Sequence, residues 1–242
     1  MNFKKTGVIS FLNQVVGKLK GKWTFAIASS LVIAFLVYAL VDILNLNAIV
    51  AAPLLGFVFL GEIVFMRKLL SGEEYKLEDL FGDFKLFIPA FLTMASMMLL
   101  ISVGFALLIL PGISFLISYS FALHILADNK ELGALEALKA SKAMTKGYRF
   151  KIGMFYLTFL IFSVIAFAFG LVISLVPNLI WGTNLLLYAG IIAGVVAVAF
   201  VYPFFYASLT MLYEGIKNNT IVEDDVEESA EETEVQADAE KL

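Results

Sequence analysis

All 17 Lys and Arg residues of this sequence fit on one side of a membrane that the chain crosses six times, and the three loops on the other side carry none. Positively charged residues resist transfer across a bilayer, so the side that keeps them is the cytoplasm. The pattern predicts a multi-pass protein of the cell membrane with both termini in the cytoplasm. Hydrophobic residues make up 61% of the chain, which exceeds the share in soluble domains and supports this prediction.

Each predicted span is an apolar run of roughly 20 residues, the length that a helix needs to cross about 30 Å of hydrocarbon. The fold class that follows is all-α, a transmembrane bundle of six helices with amphipathic interfacial helices on the cytoplasmic side. The spans are expected near residues 23–43, 48–70, 86–110, 113–127, 152–176 and 185–213. Span four is the shortest, and it reaches only about 22 Å at 1.5 Å per residue.

Two prolines indicate where the chain turns between spans and where a span bends. Pro111 and Gly112 fit the central positions of a tight turn, because proline fixes φ and glycine accepts positive φ. A single kinked helix through Pro111 would instead place the basic segment 130–151 outside, against the charge rule. We therefore expect spans three and four to form a hairpin at this point, and we expect Pro203 to kink span six.

Three segments on the cytoplasmic side show amphipathic patterns. Residues 6–20 read as a basic helix lying on the membrane surface, because apolar residues recur there at helical spacing. Ser71 and Glu74 match a capping box that would start a second helix, with its apolar face formed by Leu77, Leu80, Phe81 and Phe84. Similar spacing of the segments leaves two explanations open, a threefold internal repeat and coincidence.

The third segment is predicted to begin at Asp128 as N-cap and to stop near Gly147. Lys139, Lys142 and Lys146 share one stripe of this helix. Such a stripe at the membrane surface attracts anionic headgroups by roughly 1 kcal/mol per basic residue, which makes these lysines candidate contacts for anionic lipid. Positive-inside topology alone explains the same lysines without any ligand.

Several short motifs in these loops are collectively specific. They are Gly72-Glu73-Glu74, Leu77-Glu78-Asp79-Leu80-Phe81, Leu110-Pro111-Gly112-Ile113, Ile125-Leu126-Ala127-Asp128-Asn129, Ala134-Leu135-Glu136-Ala137-Leu138-Lys139-Ala140-Ser141 and Lys146-Gly147-Tyr148. With them the chain resembles, over residues 20–215, the bacterial membrane family known as domain of unknown function 975. The resemblance implies an integral membrane protein without an assigned reaction, and it does not cover the acidic tail.

Two ionisable residues lie within predicted spans, where a charge costs at least about 2.5 to 3.5 kcal/mol on insertion scales. Glu62 falls in span two and His124 in span four, at compatible depths. A hydrogen bond between them would hold a proton or a polar solute group, as in proton-coupled carriers. In the alternative, Glu62 reaches toward the inner interface and His124 bonds a hydroxyl such as that of Ser118 or Tyr119.

The residue inventory argues against catalysis. One His and no Cys exclude paired-His and Cys-ligated metal sites, and the sequence carries no nucleophile elbow and no phosphate-binding glycine loop. We therefore predict no catalytic, cofactor-binding or metal-binding residues, no cofactor and no enzyme. An intramembrane lipid enzyme would instead require acidic residues that converge around a cleft at the inner interface.

The domain organisation follows from these elements. Residues 1–22 are predicted as a cytoplasmic amphipathic N-terminal helix, 23–217 as the six-span domain and 218–242 as a disordered acidic cytoplasmic tail, because residues 221–242 hold ten acidic groups against Lys241. The expected role is non-enzymatic, either membrane organisation or binding of lipids or partner proteins at the cytoplasmic face. The expected partners are membrane lipids, anionic ones included, and a protein partner or a second copy, but no nucleic acid. The alternative is a small-solute or proton-coupled carrier or channel that uses Glu62 and His124.

Overall fold

The computed structural model describes residues 7–181, 190–191 and 194–219. All regular elements in this part are helical. The helices are α1 (Val8–Leu19), α2 (Trp23–Tyr38, continued by the π-helical residues Ala39–Ile43), α3 (Ala48–Ser71), α4 (Phe87–Leu107), α5 (Ile109–Tyr119), α6 (Ala122–Asp128), α7 (Ala134–Met144), α8 (Arg149–Trp181) and α9 (Gly194–Asn219). Residues 185–189 of predicted span six and residues 220–242 of the predicted tail lie outside the described residues.

Six helical segments in the described ranges are long and apolar enough to cross a membrane, which confirms the predicted all-α bundle of six spans. They are Trp23–Ile43, Val50–Ser71, Leu77–Leu107, Ile109–Asp128, Arg149–Gly170 and Gly194–Asn219. Large apolar side chains remain uncovered on their outer faces, with Phe35, Leu99 and Leu160 exposed by 62%, 66% and 60%. Extended apolar surfaces of this kind are rare on soluble monomers and match a hydrocarbon surrounding.

The hairpin between spans three and four is confirmed, but its predicted turn position is wrong. The chain reverses at Leu108, which is extended with φ −165° and ψ 159°, and α5 already begins at Ile109. Pro111 therefore lies in the first turn of α5, where a missing N–H costs no intrahelical bond. Gly112 serves contact between the helices, since a Cβ there would lie 2.4 Å from the ring of Phe105.

Span four is broken between α5 and α6, at Ser120 and Phe121. The break frees backbone groups inside the bundle, and α7 supplies partners for them. Ser141 Oγ donates to the Ser118 carbonyl at 2.9 Å and accepts from the Phe121 N–H at 3.2 Å, while Thr145 Oγ1 donates to the same carbonyl at 3.4 Å. Freed backbone groups at membrane depth are costly unless paired, so these bonds fix α7 against span four.

The segment between α3 and α4 differs from the predicted amphipathic helix. Ser71 is the last residue of α3 rather than an N-cap, and the apolar residues that follow form short 3₁₀ turns at Leu77–Phe81 and Phe84–Leu86. Only Leu80 of the predicted apolar face is buried. The segment lies tightly against α3, because a Cβ on Gly61 would come within 1.9 Å of the Leu80 carbonyl oxygen. This segment is thus held against α3 by close contact between Gly61 and the Leu80 backbone, and not by the predicted apolar face of a helix.

Helix α1 has the predicted apolar face, but this face packs against the bundle. Phe11, Leu12, Val15 and Leu19 are buried in the main core together with residues of α3, α8 and α9. At the start of α2, Lys22 Nζ donates to the Leu69 carbonyl near the end of α3. In the last span, the π-helical segment Ala197–Val201 ends two residues before Pro203, so α9 departs from regular α geometry there.

Candidate functional site

The C-terminal ends of α3, α6 and α9 meet at Asp128. We call this region, which contains Arg67, Asp128, Tyr213, Glu214 and Lys217, the basic end. Asp128 Oδ2 accepts hydrogen bonds from Tyr213 Oη at 2.5 Å and from Lys217 Nζ at 2.6 Å, and Oδ1 pairs with Arg67. Arg67 Nε in turn lies 2.9 Å from Glu214 Oε1. The Asp128 side chain is only 15% exposed, so it neutralises two cations in a largely desolvated position.

The prediction that Asp128 is the N-cap of the third amphipathic helix is wrong. Asp128 ends α6, and α7 begins later, after Gly133, whose N–H donates to Glu136 Oε2 at 2.9 Å. The reason is competition for the carboxylate, since two cations and a tyrosine hydroxyl outweigh a single capping bond. Charges of opposite sign at the neighbouring ends of spans two, four and six were the sequence signal for this network.

A cavity of about 500 Å³ lies beside the network, between α1, α3 and α9. Its lining includes two positively charged residues, Lys18 and Arg67, and two negatively charged residues, Glu73 and Glu214. Thr210 also lines it, and this buried hydroxyl has no hydrogen-bond partner among the described residues. The cavity at the basic end is therefore lined by positively charged, negatively charged and uncharged polar side chains.

No group of three or more His, Asp or Glu side chains within the described ranges is placed to hold a metal ion. Several acidic residues in and near the basic end are engaged in ion pairs instead. Asp128 and Glu214 both pair with Arg67, and Asp79 pairs with Lys68 at 2.7 Å. The chemistry that this arrangement supports is charge pairing between helix ends.

Glu62 lies inside the bundle and is fully buried. Ser29 Oγ of α2 donates to Glu62 Oε1 at 3.1 Å, while Oε2 has no hydrogen-bond partner among the described residues. The side chain thus does not extend to the inner interface. Its partner comes from the neighbouring span, 33 positions earlier in the chain.

His124 is also buried, at 1% exposure, and its ring lies against two aromatic rings. The centroid distances are 5.9 Å to Phe121 and 5.1 Å to Tyr213. Neither ring nitrogen has a hydrogen-bond partner in the part of the chain that the structure describes. The hypothetical bond between Glu62 and His124 is therefore not formed, and no hydroxyl of a described residue bonds to this imidazole.

A small cavity of about 160 Å³ adjoins His124 in the interior of the bundle. Its polar lining comes from the break in span four and from α6, α8 and α9, namely Ser120, His124, Tyr156 and Tyr206, and Glu62 is not part of it. The remaining lining is apolar. His124 thus lines a cavity, whereas the sequence led us to predict that it pairs with Glu62.

We expect the effects of Glu62→Gln and His124→Ala on stability to be additive. Glu62 bonds to Ser29 and His124 contacts Phe121 and Tyr213, so no hydrogen bond couples the two side chains. The free energies of unfolding of the single and double variants in detergent should add to within about 0.5 kcal/mol. A larger coupling energy would show that the two side chains interact directly.

The three candidate lipid contacts lie where the sequence pattern placed them. Lys139, Lys142 and Lys146 are exposed, on α7 and just after its end, and none forms an ion pair with another described residue. Leu135 lies on the same stripe one turn earlier and is 67% exposed. The other face of α7 is buried through Ser141, so the stripe is presented outward by a fixed helix.

No protein-family model, no curated protein and no solved structure matches this chain. The resemblance to domain of unknown function 975 accordingly stays a prediction that rests on the loop motifs.

Proposed function

We propose that this chain is a non-enzymatic protein of the cell membrane, with both termini in the cytoplasm, that binds anionic lipids of the inner leaflet. The observation that carries the proposal is the outward-facing stripe of Lys139, Lys142 and Lys146 on a helix fixed by Ser141. Exposed basic side chains beside an exposed Leu135 suit the boundary between headgroups and acyl chains.

The rigidity of α7 strengthens the argument. A flexible loop loses conformational entropy when it binds, whereas a helix that is already held by side-chain bonds loses less. The hydrogen bonds of Ser141 and Thr145 to span four keep the stripe in place before any lipid arrives. Each lysine then contributes roughly 1 kcal/mol of attraction to an anionic surface.

Replacing Lys139, Lys142 and Lys146 together by glutamine is expected to remove the preference for anionic lipid. The loss should be about 3 kcal/mol, or roughly a hundredfold in relative affinity, from three basic residues. Native mass spectrometry of the full-length protein with phosphatidylglycerol and phosphatidylcholine measures the ratio of retained lipids.

The matched control changes three other exposed lysines of the same end to glutamine, Lys76, Lys85 and Lys130. Two of them already have acidic neighbours, since Lys76 pairs with Glu74 at 3.3 Å and Lys130 with Asp83 at 3.6 Å. This variant has the same change in net charge and should keep the anionic preference. Equal losses in both variants would mean that general electrostatics, and not the stripe on α7, attracts the lipid.

A carrier or channel for a small solute is the second candidate, and the cavity beside His124 is the feature that favours it. The cavity is small and lacks Glu62 in its lining, so the polar pair on which that role was predicted is not assembled. The basic stripe therefore supports lipid binding better than the interior supports transport.

A further inference from the structure

We propose that the cavity beside His124 and an adjoining apolar groove together bind one single-chain amphiphile with a small uncharged head, such as a long-chain alcohol or a protonated fatty acid. The site is separate from the lysine stripe and does not depend on the lipid binding proposed above. The observations behind it are two adjoining cavities and a buried imidazole without a hydrogen-bond partner among the described residues.

The groove is the larger of the two, at about 780 Å³. Three residues, Leu116, Tyr156 and Phe205, line both the groove and the 160 Å³ cavity that contains His124. The cavity and the groove are thus neighbours that share a wall formed by one residue each of α5, α8 and α9. The cavity is the smaller space and holds the polar groups, whereas the groove is wide and mainly apolar. Pockets that bind small molecules usually measure about 300–1,000 Å³.

The shape of the groove fits a hydrocarbon chain. Its lining on α8 extends from Gly153 to Ser163, which spans roughly 15 Å at 1.5 Å per residue. Gly153 leaves the groove open on this side, because a Cβ there would meet only the Ile117 Cδ1 atom, at 3.4 Å. The groove runs between spanning helices, so an acyl chain can enter it from the bilayer.

The chemistry of the cavity selects the head of the ligand. Neutral imidazole offers one donor and one acceptor, and both nitrogens of His124 are buried without a partner among the described residues. Ser120, whose hydroxyl already donates to the Ile117 carbonyl at 2.6 Å, Tyr156 and Tyr206 complete the polar lining, so the imidazole is the group left to pair with a ligand. A hydroxyl or a protonated carboxyl both donates and accepts, and it can therefore satisfy this set.

A phospholipid headgroup does not fit the same cavity. Neither lining contains Lys, Arg, Asp or Glu among the described residues, and an ionised phosphate without a cationic partner is strongly disfavoured in a buried site. Phospholipids are therefore expected at the lysine stripe, and small-headed amphiphiles at the interior cavity.

The test is photo-crosslinking of the full-length protein in detergent with a diazirine derivative of palmitic acid and of hexadecanol. Mass spectrometry should place the label on residues of α5, α8 and α9 that line the groove. Excess unlabelled fatty acid or alcohol should compete, whereas excess phosphatidylglycerol should not. Labelling spread evenly over the outer faces of the spans, or equal competition by phosphatidylglycerol, would overturn the proposal.

Two variants locate the site. Gly153→Leu fills the groove and His124→Leu removes the polar partner, and each should lower the concentration-dependent labelling about tenfold, as expected for loss of a buried contact or hydrogen bond. Gly17→Leu is the matched control, since Gly17 is exposed on α1 with nothing within 4 Å of its Cβ position. It should label like the unmodified protein.

Two further variants separate misfolding and surface binding from loss of the site. Gly153→Ala adds one methyl at ordinary contact distance and should retain both the fold and the labelling. The triple lysine variant should also retain labelling, because its residues lie outside the groove. Undiminished labelling of Gly153→Leu would contradict the assignment, and so would loss of labelling in the triple lysine variant.

Discussion

Gly61→Ala should lower the free energy of unfolding by about 3 kcal/mol, the upper part of the range for overpacked interiors. The Cβ would lie 1.9 Å from the carbonyl oxygen of Leu80 and 2.5 Å from its carbonyl carbon. Both are backbone atoms, so no side-chain rotation relieves the clash. The 3₁₀ segment Leu77–Phe81 must move away from α3, which also uncovers the fully buried Leu80.

Thermal unfolding of the purified protein in detergent measures this loss, and protease sensitivity between α3 and α4 reports whether the segment has moved. Gly153→Ala is the matched control, because the same substitution there meets only one side-chain atom at 3.4 Å. Its melting temperature should stay close to that of the unmodified protein. Similar melting temperatures for both variants would contradict the close contact between α3 and Leu80.

Asp128→Asn is the second substitution with a large expected effect, a loss of about 2 kcal/mol, which is less than for a fully buried pair because Arg67 and Lys217 are 27% and 39% exposed. The amide keeps the shape of the side chain but leaves Arg67 and Lys217 without a shared countercharge in a largely desolvated position. The Tyr213 hydroxyl bond to Oδ2 is weakened as well. Because the network joins α3, α6 and α9, its loss should lower the melting temperature of the whole bundle.

Asp83→Asn serves as the control, since its pair with Lys130 is long, at 3.6 Å, and both side chains are exposed by 40% or more. Exposed ion pairs contribute little to stability, so this variant should melt like the unmodified protein. Charge reversal offers a second check, because adding Lys217→Asp to Asp128→Lys should recover part of the stability that Asp128→Lys alone loses. No recovery would mean that Asp128 acts mainly through Arg67 and Tyr213.

The spans could be predicted from sequence because each depends on a local run of apolar residues and on the sidedness of the basic ones. The turn between α4 and α5 could not be located in this way. Pro111 and Gly112 are as compatible with the first turn of a helix as with a tight turn. The close packing of Gly112 on Phe105 decides in favour of the helix. The chain therefore reverses at Leu108, a residue with no turn preference of its own.

Among the candidate sites, those formed by one local segment could be predicted from the sequence, and those formed by packing of distant segments could not. The stripe of Lys139, Lys142 and Lys146 follows from helical spacing within one segment and could be predicted. The Asp128 network joins residues separated by 85 and 89 positions, so local capping rules gave the wrong role for Asp128. The partner of Glu62 and the surroundings of His124 likewise depend on how neighbouring spans pack, which periodicity does not specify.

The break in span four has a consequence for how the protein is made. The backbone groups of Ser118 and Phe121 find their partners in Ser141 and Thr145, which are synthesised 20 to 27 residues later. Until those residues leave the ribosome, the Ser118 carbonyl and the Phe121 N–H lack the side-chain partners that they have in the folded protein, and backbone groups without partners are costly inside a membrane. We therefore expect the fourth segment to reach its final arrangement only after α7 has folded back onto it.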